Sequence, residues 1–155
     1  WLPERYAAAA DYAISQGFKV MLCGGPTVLE KNLADVIQSH SQHTFDNQVG
    51  KTSLTQLLAL LKQASFVLAP DTGPLHMAVT QGTPVIGLYA HSNPGRTGPY
   101  YYRDYTVSIY HEVIAQQVDG LVKWGKRAKG EHLMAMIETD DVIQSMKKLI
   151  AERAR

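Results

Sequence analysis

Short apolar runs alternate with longer amphipathic segments along this chain, and that alternation constrains its fold more than any other feature. The apolar runs span residues 18–23, 65–69, 84–89 and 105–110. Helical periodicity covers residues 3–16, 28–37, 53–64 and 74–81, and a further helix follows Thr139. Strands that alternate with helices pair in parallel through right-handed crossovers. The sequence therefore predicts an α/β fold with a doubly wound, mostly parallel, Rossmann-like sheet.

Local signals refine these helices. Ser53 and Gln56 have the spacing of a capping box, in which each side chain pairs with the other residue's backbone N–H. Thr139 is expected to cap the final helix, and the two aspartates that follow it complement the helix dipole. The second helix has four apolar side chains on one face: Leu29, Leu33, Val36 and Ile37. The stretch from Ala90 to Asp104 is rich in glycine and proline and predicts a long loop.

Composition fits one domain without a bulk charge. The 155 residues are 45% hydrophobic, enough for one core, and we predict a single domain over 1–155. Fifteen basic and 14 acidic side chains give a net charge of +1, so we expect no nucleic acid partner. The lone Cys23 excludes an intrachain disulfide and fits a reduced, cytoplasmic setting. No apolar run approaches the roughly 18 residues of a membrane span, and the start at Trp1 suggests a piece of a longer protein.

The segment Asp71–His76 is the sharpest local motif, because it joins an apolar run to a helix start. A helix N-terminus has unsatisfied N–H groups and the positive end of the helix dipole, so it favours an anion such as phosphate. Pro74 suits the first helical turn, and we expect the amides of Leu75 and His76 to point outward. Gly73 lets the backbone turn closely. The segment predicts a phosphate-binding turn.

Side chains of the same segment add chemistry to the turn. Thr72 and His76 can donate hydrogen bonds to phosphate oxygens. Asp71 would repel a phosphate, so we expect it to orient the loop by accepting hydrogen bonds from the backbone or from Thr72. The alternative is an ordinary strand-to-helix turn with a capping aspartate and a surface histidine.

Three turns are predicted to converge on one rim of the sheet, those after Cys23, Ala69 and Tyr89, because ligands bind beyond the carboxyl ends of parallel strands. In the first of them, the run Gly24-Gly25-Pro26 would let a ligand approach the backbone. Glu30, on the following helix, either accepts hydrogen bonds from ribose hydroxyls or is simply solvated.

The sequence does not meet the requirements of three other well-known functional motifs. The run Gly50–Ser53 is not a phosphate-binding P-loop, because Phe45 stands where that motif needs its first glycine. The glycine pattern of dinucleotide-binding dehydrogenases is absent. His40 and His43 have no nearby set of further ligands, so we expect no metal site.

Two other groups of residues remain open. Tyr100–Tyr102 lie between Arg96 and Arg103 and either stack on a base or sugar or pack the loop down. A basic run is either a solvated, mobile loop or a contact with an anionic acceptor at a membrane surface: Lys123, Lys126, Arg127 and Lys129.

These motifs together resemble the C-terminal half of glycosyltransferase family 9, the ADP-heptose:lipopolysaccharide heptosyltransferases. The resemblance covers nearly the whole chain. Its landmarks are Trp1–Tyr6, Gly24–Pro26, Gly50–Leu54, Asp71–Ala78, Asn93–Tyr100 and the tail from Leu133 to Val142. Val28 stands where relatives often have an acid.

The resemblance implies the donor-binding, Rossmann-like half of a GT-B enzyme in lipopolysaccharide biosynthesis. It places a donor diphosphate at Thr72–His76, the nucleoside near Gly24–Pro26 and Glu30, and a donor or acceptor contact at Arg96. The expected substrate is ADP-heptose, with no cofactor and no metal. The catalytic base and the lipopolysaccharide core acceptor would belong to an N-terminal domain absent from this chain.

The implied reaction is an inverting transfer of heptose to the lipopolysaccharide inner core, by a protein that is cytoplasmic or peripheral at the inner membrane. This chain alone is expected to be inactive. Two alternatives stay open: a GT-B transferase that uses another nucleotide sugar, and a non-catalytic nucleotide-binding or interaction module.

Overall fold

The structure, a computed structural model, describes residues 1–153, which form two compact units, Trp1–Ala59 and the residues from Leu60 onward. The first unit contains α1 (Pro3–Ser15), β1 (Met21–Leu22), α2 (Val28–His40) and β2 (Asp46–Asn47). Helix α3 (Leu54–Gln63) begins in the first unit and ends in the second. The second unit contains β3 (Val67–Pro70), α4 (Gly73–Thr80), β4 (Val85–Tyr89), α5 (Pro94–Thr97), β5 (Val107–Ser108), α6 (Tyr110–Gln117) and α7 (Thr139–Arg153).

The first unit is a strand-helix-strand arrangement. Strand β1 pairs in parallel with β2, with Met21 opposite Asp46. Helix α1 packs against α2, and the core of the unit contains Ala7, Ile37 and Phe45. Strand β1 is shorter than the predicted strand at residues 18–23 and is not buried throughout, since Met21 is 42% exposed.

The apolar face predicted for α2 is only partly used. Ile37 is buried, but Leu29, Leu33 and Val36 are exposed. The buried face passes instead through Ala34, a small side chain that lets α2 approach the alanine-rich helix α1 closely. Apolar periodicity identified the helix correctly and misplaced its buried face.

The second unit is built on a parallel sheet in the order β3-β4-β5. Leu68 pairs with Ile86, and Leu88 with Val107. All five residues of β4 are buried, as expected for the central strand of a parallel sheet. Helix α7 contacts β4 and β5 and buries Val142 among other apolar side chains.

Gly87, in the middle of β4, leaves space for the side chains of Leu75 and Tyr89, which lie near the candidate site. A Cβ at this position would lie 2.7 Å from Cε2 of Tyr89 and 3.2 Å from Cδ2 of Leu75. Both of those side chains are fully buried. The absence of a side chain at Gly87 therefore lets α4 pack closely on the sheet.

Some boundaries differ from the sequence-based expectation. The last strand ends at Ser108, and helix α6 follows at once where no helix was predicted. The predicted loop 90–104 contains the short helix α5. Helix α7 begins at Thr139 itself, and the cap at Thr139 stays a prediction. Local sequence signals are weakest at such element ends.

The α/β class and the parallel pairing are confirmed. The five strands described within residues 1–153 lie in two sheets, one of two strands and one of three. The single-domain prediction for 1–155 stays a prediction. No helix among the described residues combines the length and the hydropathy needed to cross a bilayer.

The capping box before α3 is confirmed and yields a stability prediction. Ser53 N–H donates to Oε1 of Gln56 at 2.8 Å, and Gln56 N–H donates to Oγ of Ser53 at 3.2 Å. Ser53→Ala leaves a helix N–H unpaired and is expected to lower the free energy of unfolding by about 1 kcal/mol. Urea unfolding measures this loss, and Ser65→Ala at an exposed position is the control. Equal effects of the two substitutions would contradict the role of the cap.

Candidate functional site

The turn between β3 and α4 presents backbone N–H groups at a helix start. Thr72 is extended, with φ −141° and ψ 166°, and Pro74 lies in the first helical turn. The first helical hydrogen bond is donated by His76 N–H to the Thr72 carbonyl, at 3.4 Å. The expectation of an outward amide at His76 is therefore wrong, and the N–H groups without an intrahelical acceptor include those of Gly73 and Leu75.

Gly73 is not required by the local backbone or by packing. Its φ is not in the left-handed region, and a Cβ there would meet nothing within 4 Å. Neither conformation nor crowding therefore explains a glycine at the first position of α4. The space above it is open.

Thr72 is oriented toward the preceding strand. Its hydroxyl donates to the Pro70 carbonyl at 3.1 Å and does not cap the helix. To donate to a bound anion, the hydroxyl proton of Thr72 would have to leave that carbonyl. Its role as a side-chain donor stays a prediction.

Asp71 is the centre of a hydrogen-bond network. Ser92 Oγ donates to Oδ2 at 2.5 Å, Thr97 Oγ1 donates to the same oxygen at 3.0 Å, and Nε2 of His76 lies 3.0 Å from Oδ1. The expectation that Asp71 orients the loop is supported. The expected donors, the backbone and Thr72, are replaced by two hydroxyls from the loop after β4, which the sequence could not place.

Electrostatics keep Asp71 ionised. Burial alone would raise the pKa of its carboxyl group, but hydrogen bonds from Ser92, His76 and Thr97 outweigh burial and lower that pKa below its ordinary value. Nearby, burial raises the pKa of the Tyr89 hydroxyl, and the charge of Asp71 raises it further. The site therefore contains a fixed negative charge beside a neutral phenol.

The loop after β4 is ordered by its own cap. The side chain of Asn93 accepts from Gly95 N–H at 2.9 Å, and Tyr89 Oη donates to the Thr97 carbonyl at 3.1 Å. Asn93 is buried, whereas Arg96 is exposed on α5. The loop thus holds Thr97 against Asp71 and leaves the Arg96 side chain accessible.

The glycine-rich turn of the first unit is stapled by Glu30. Gly25 N–H donates to Oε1 of Glu30 at 2.8 Å, Thr27 Oγ1 donates to Oε2 at 2.6 Å, and Glu30 N–H donates to Thr27 Oγ1 at 3.2 Å. The hydrogen bond from Thr27 is the main reason that the pKa of Glu30 is lowered. This is a capping box of the form Thr-x-x-Glu, the same signal as at Ser53, and it was missed at Thr27.

The carboxylate of Glu30 is therefore not simply solvated. A Cβ at Gly25 would lie 2.7 Å from Oε2 of Glu30, so a glycine is needed there for the staple. The ribose contact at Glu30 and the nucleoside contact at Gly24–Pro26 stay predictions. So does the convergence of this turn with the Asp71–His76 turn on one rim.

The remaining candidates from the sequence are the histidine pair and the three consecutive tyrosines. His43 pairs with Asp11, with Nδ1 3.1 Å from Oδ1. Among residues 1–153, no three His, Cys, Asp or Glu side chains gather into a group that could hold a metal ion. Tyr102 packs the loop down, with its hydroxyl donating to the Gly82 carbonyl at 2.8 Å, whereas Tyr100 and Tyr101 are exposed.

The network around Asp71 predicts an acid-dependent stability. Asp71→Asn removes a charge that accepts three hydrogen bonds and is expected to lower the free energy of unfolding at pH 7 by about 1–3 kcal/mol. Because the folded pKa lies below the ordinary value of about 3.9, this contribution is present above that pH and is lost as the pH falls through the folded pKa.

Urea unfolding from pH 7 to pH 3 tests this expectation. The difference in the free energy of unfolding between the wild type and Asp71→Asn should become smaller only in the acid range. Asp35→Asn on the exposed face of α2 is the matched control and should show no such gap. A gap that is constant down to pH 3 would contradict the ionised network.

Comparison with known proteins places this chain in a family. The family model described as glycosyltransferase family 9 (heptosyltransferase) matches residues 1–121. The chain is 42% identical over 152 residues to the lipopolysaccharide core heptosyltransferase OpsX of Haemophilus influenzae, covering 96% of this chain and 44% of that protein. The chain spans less than half the length of the curated relatives it matches.

Solved structures show the same fold. A family 9 glycosyltransferase from Veillonella parvula matches with a TM-score of 0.76 and 24% identity, over 98% of this chain and 42% of its own length. The ADP-heptose lipopolysaccharide heptosyltransferase II of E. coli matches with a TM-score of 0.72 and 19% identity, over 100% of this chain and 43% of its own. The parallel α/β architecture is thus the Rossmann-like half of a GT-B fold, and the chain belongs to glycosyltransferase family 9.

Proposed function

We propose that this chain is the donor-binding part of an inverting heptosyltransferase, which moves heptose from ADP-heptose to the inner core of lipopolysaccharide. The observation that carries the proposal is the start of α4, where free backbone N–H groups, a histidine held by Asp71 and the open space above Gly73 lie together. The relatives named as lipopolysaccharide heptosyltransferases supply the substrate class.

The chemistry of this site suits a departing diphosphate. When the bond to the anomeric carbon breaks, negative charge grows on the diphosphate, and preorganised donors at a helix N-terminus stabilise it. The N–H groups of Gly73 and Leu75 would supply two such donors. Because Asp71 occupies Nε2 of His76, the atom left to donate to a phosphate oxygen is Nδ1, when the ring carries both protons.

The remaining parts of the reaction are assigned by proposal. The turn at Gly24–Pro26, with Glu30, would contact the nucleoside, and Arg96 would contact the donor or the acceptor. The base that deprotonates the acceptor hydroxyl, and the acceptor site itself, would belong to an N-terminal domain. We place the protein in the cytoplasm, peripheral at the inner membrane.

Metal-independent transfer is part of the proposal, because the backbone and His76 donors would carry the charge of the leaving group. Activity of the full-length protein should therefore survive treatment with a chelator of divalent cations. A strict requirement for added Mg²⁺ would contradict this part of the proposal.

Sugar transfer by the full-length protein is the decisive experiment. With ADP-heptose and a heptose-free lipopolysaccharide core as acceptor, heptosylated product should form, and ADP should inhibit better than UDP or GDP. Stronger inhibition by UDP or GDP would favour a transferase for another nucleotide sugar. Binding of none of these nucleotides would favour an interaction module and overturn the proposal.

Gly73→Ala separates function from stability. The glycine has an ordinary helical backbone and open space above it, so alanine is expected to raise the free energy of unfolding by about 0.4–1 kcal/mol. The added methyl group would stand between the helix start and the diphosphate and weaken ADP binding. Calorimetry and urea unfolding measure the two effects, with Thr80→Ala at the far end of α4 as the control. Unchanged ADP affinity would place the nucleotide elsewhere.

His76→Ala tests the side-chain donor. Loss of a hydrogen bond to a charged phosphate is expected to raise the dissociation constant of ADP about ten- to hundredfold, with a smaller effect on adenosine, which lacks the diphosphate. Titration calorimetry compares the two ligands. His40→Ala, at the exposed end of α2, is the control and should leave both affinities unchanged. Equal loss for ADP and adenosine would contradict a diphosphate contact.

A further inference from the structure

The loop formed by residues 121–129, here called the cationic loop, exposes apolar and basic side chains together. Leu121 is fully exposed and Trp124 is 64% exposed. Four exposed basic side chains are interleaved with them, and the loop contains no acid: Lys123, Lys126, Arg127 and Lys129. The whole chain has a net charge of only +1, so without this loop it would be net negative. The positive charge is local.

The backbone of the cationic loop is held in place. Ala128 N–H donates to the His91 carbonyl at 2.9 Å, and the Tyr110 hydroxyl donates to the Lys126 carbonyl at 2.6 Å. Gln117 bridges both backbone groups of Lys129, at 2.8 Å from its N–H and 2.5 Å from its carbonyl. Such contacts are not those of a freely solvated loop. The backbone is tied to the second unit while the side chains point outward.

This combination of side chains has a specific chemical meaning. Tryptophan and leucine side chains exposed on a polar surface bind at the boundary between lipid headgroups and acyl chains. The aliphatic stems of lysine and arginine extend along this boundary and carry the charged groups toward the phosphates. Clusters of four or more cations beside such residues favour anionic bilayers. A nucleic acid would contact the basic side chains and the tryptophan, but it would not bury the apolar side chain of Leu121.

We propose that the cationic loop is a membrane-contact surface for anionic phospholipid headgroups, with Leu121 and Trp124 entering the interfacial region of the bilayer. The loop is set beside the candidate site. A Cβ at Gly95 would lie 3.3 Å from Cη2 of Trp124, so the edge of the indole covers the start of α5, whose Thr97 donates to Asp71. Bilayer contact would thus place the candidate site close to the membrane surface, whichever sugar is transferred.

Co-sedimentation of the full-length protein with vesicles tests this surface. Vesicles of phosphatidylcholine with about a third phosphatidylglycerol should bind the protein, and pure phosphatidylcholine should bind it weakly. Binding should fall as salt rises. The double variant K123E/K126E is expected to lose at least about tenfold in partitioning. Leu121→Glu should also reduce partitioning, because it replaces an apolar side chain that would enter the bilayer with a charged one. The substitution should leave the fold intact, since Leu121 is fully exposed.

The matched control is K19E/K147E, which changes the net charge equally at exposed positions outside the cationic loop. It should keep its partitioning, and ADP affinity should be unchanged in both double variants. Equal losses in the two double variants would show attraction by bulk charge only and overturn the proposal. So would failure to bind anionic vesicles, or binding of a single-stranded oligonucleotide that K123E/K126E abolishes while Leu121→Glu does not.

Discussion

The carboxylate of Asp71 accepts hydrogen bonds from two hydroxyl groups and faces an imidazole, and through these contacts it joins the loops that follow two neighbouring strands. Parallel strands bring their carboxyl ends to one edge of a sheet, so the loops after β3 and β4 meet there. Loss of any one donor would leave a partly buried charge short of a partner. The geometry of His76 therefore depends on Ser92 and Thr97, which lie far from it in sequence.

Core packing and the candidate site are connected through β4. Gly87 leaves room for Leu75 below the start of α4 and for the ring of Tyr89, and the hydroxyl of Tyr89 then reaches the Thr97 carbonyl. The helix start that would face a diphosphate is thus positioned by a buried residue of the same helix. A change in the centre of the sheet would move the amides at Gly73 as well as the hydrogen bonds of Asp71.

Three carboxylates staple loops in this family 9 chain, and comparison distinguishes their roles. Asp11 accepts from Ser41 and from Gln42 N–H, and Glu30 accepts from Gly25 N–H and Thr27. Burial raises the pKa of the Asp11 carboxyl group, but its hydrogen bonds outweigh burial and lower that pKa, and the hydrogen bond from Thr27 is the main reason that the pKa of Glu30 is lowered. Glu30 and Asp71 both lie at helix starts, but of these two only Asp71 pairs with a histidine there. The first two carboxylates each hold one loop, whereas Asp71 joins the loops after two neighbouring strands.

The sequence by itself determined the α/β class, the parallel pairing, the capping box at Ser53 and the turn at Asp71–His76, because periodicity, capping and turn chemistry act over a few neighbouring residues. It did not determine which apolar face of α2 is buried, since that depends on what packs against the helix. The partners of Asp71 were likewise decided only by the tertiary structure, which brings Ser92 and Thr97 to it across the sheet. Contacts between distant residues follow from strand order and register, and no local pattern encodes them.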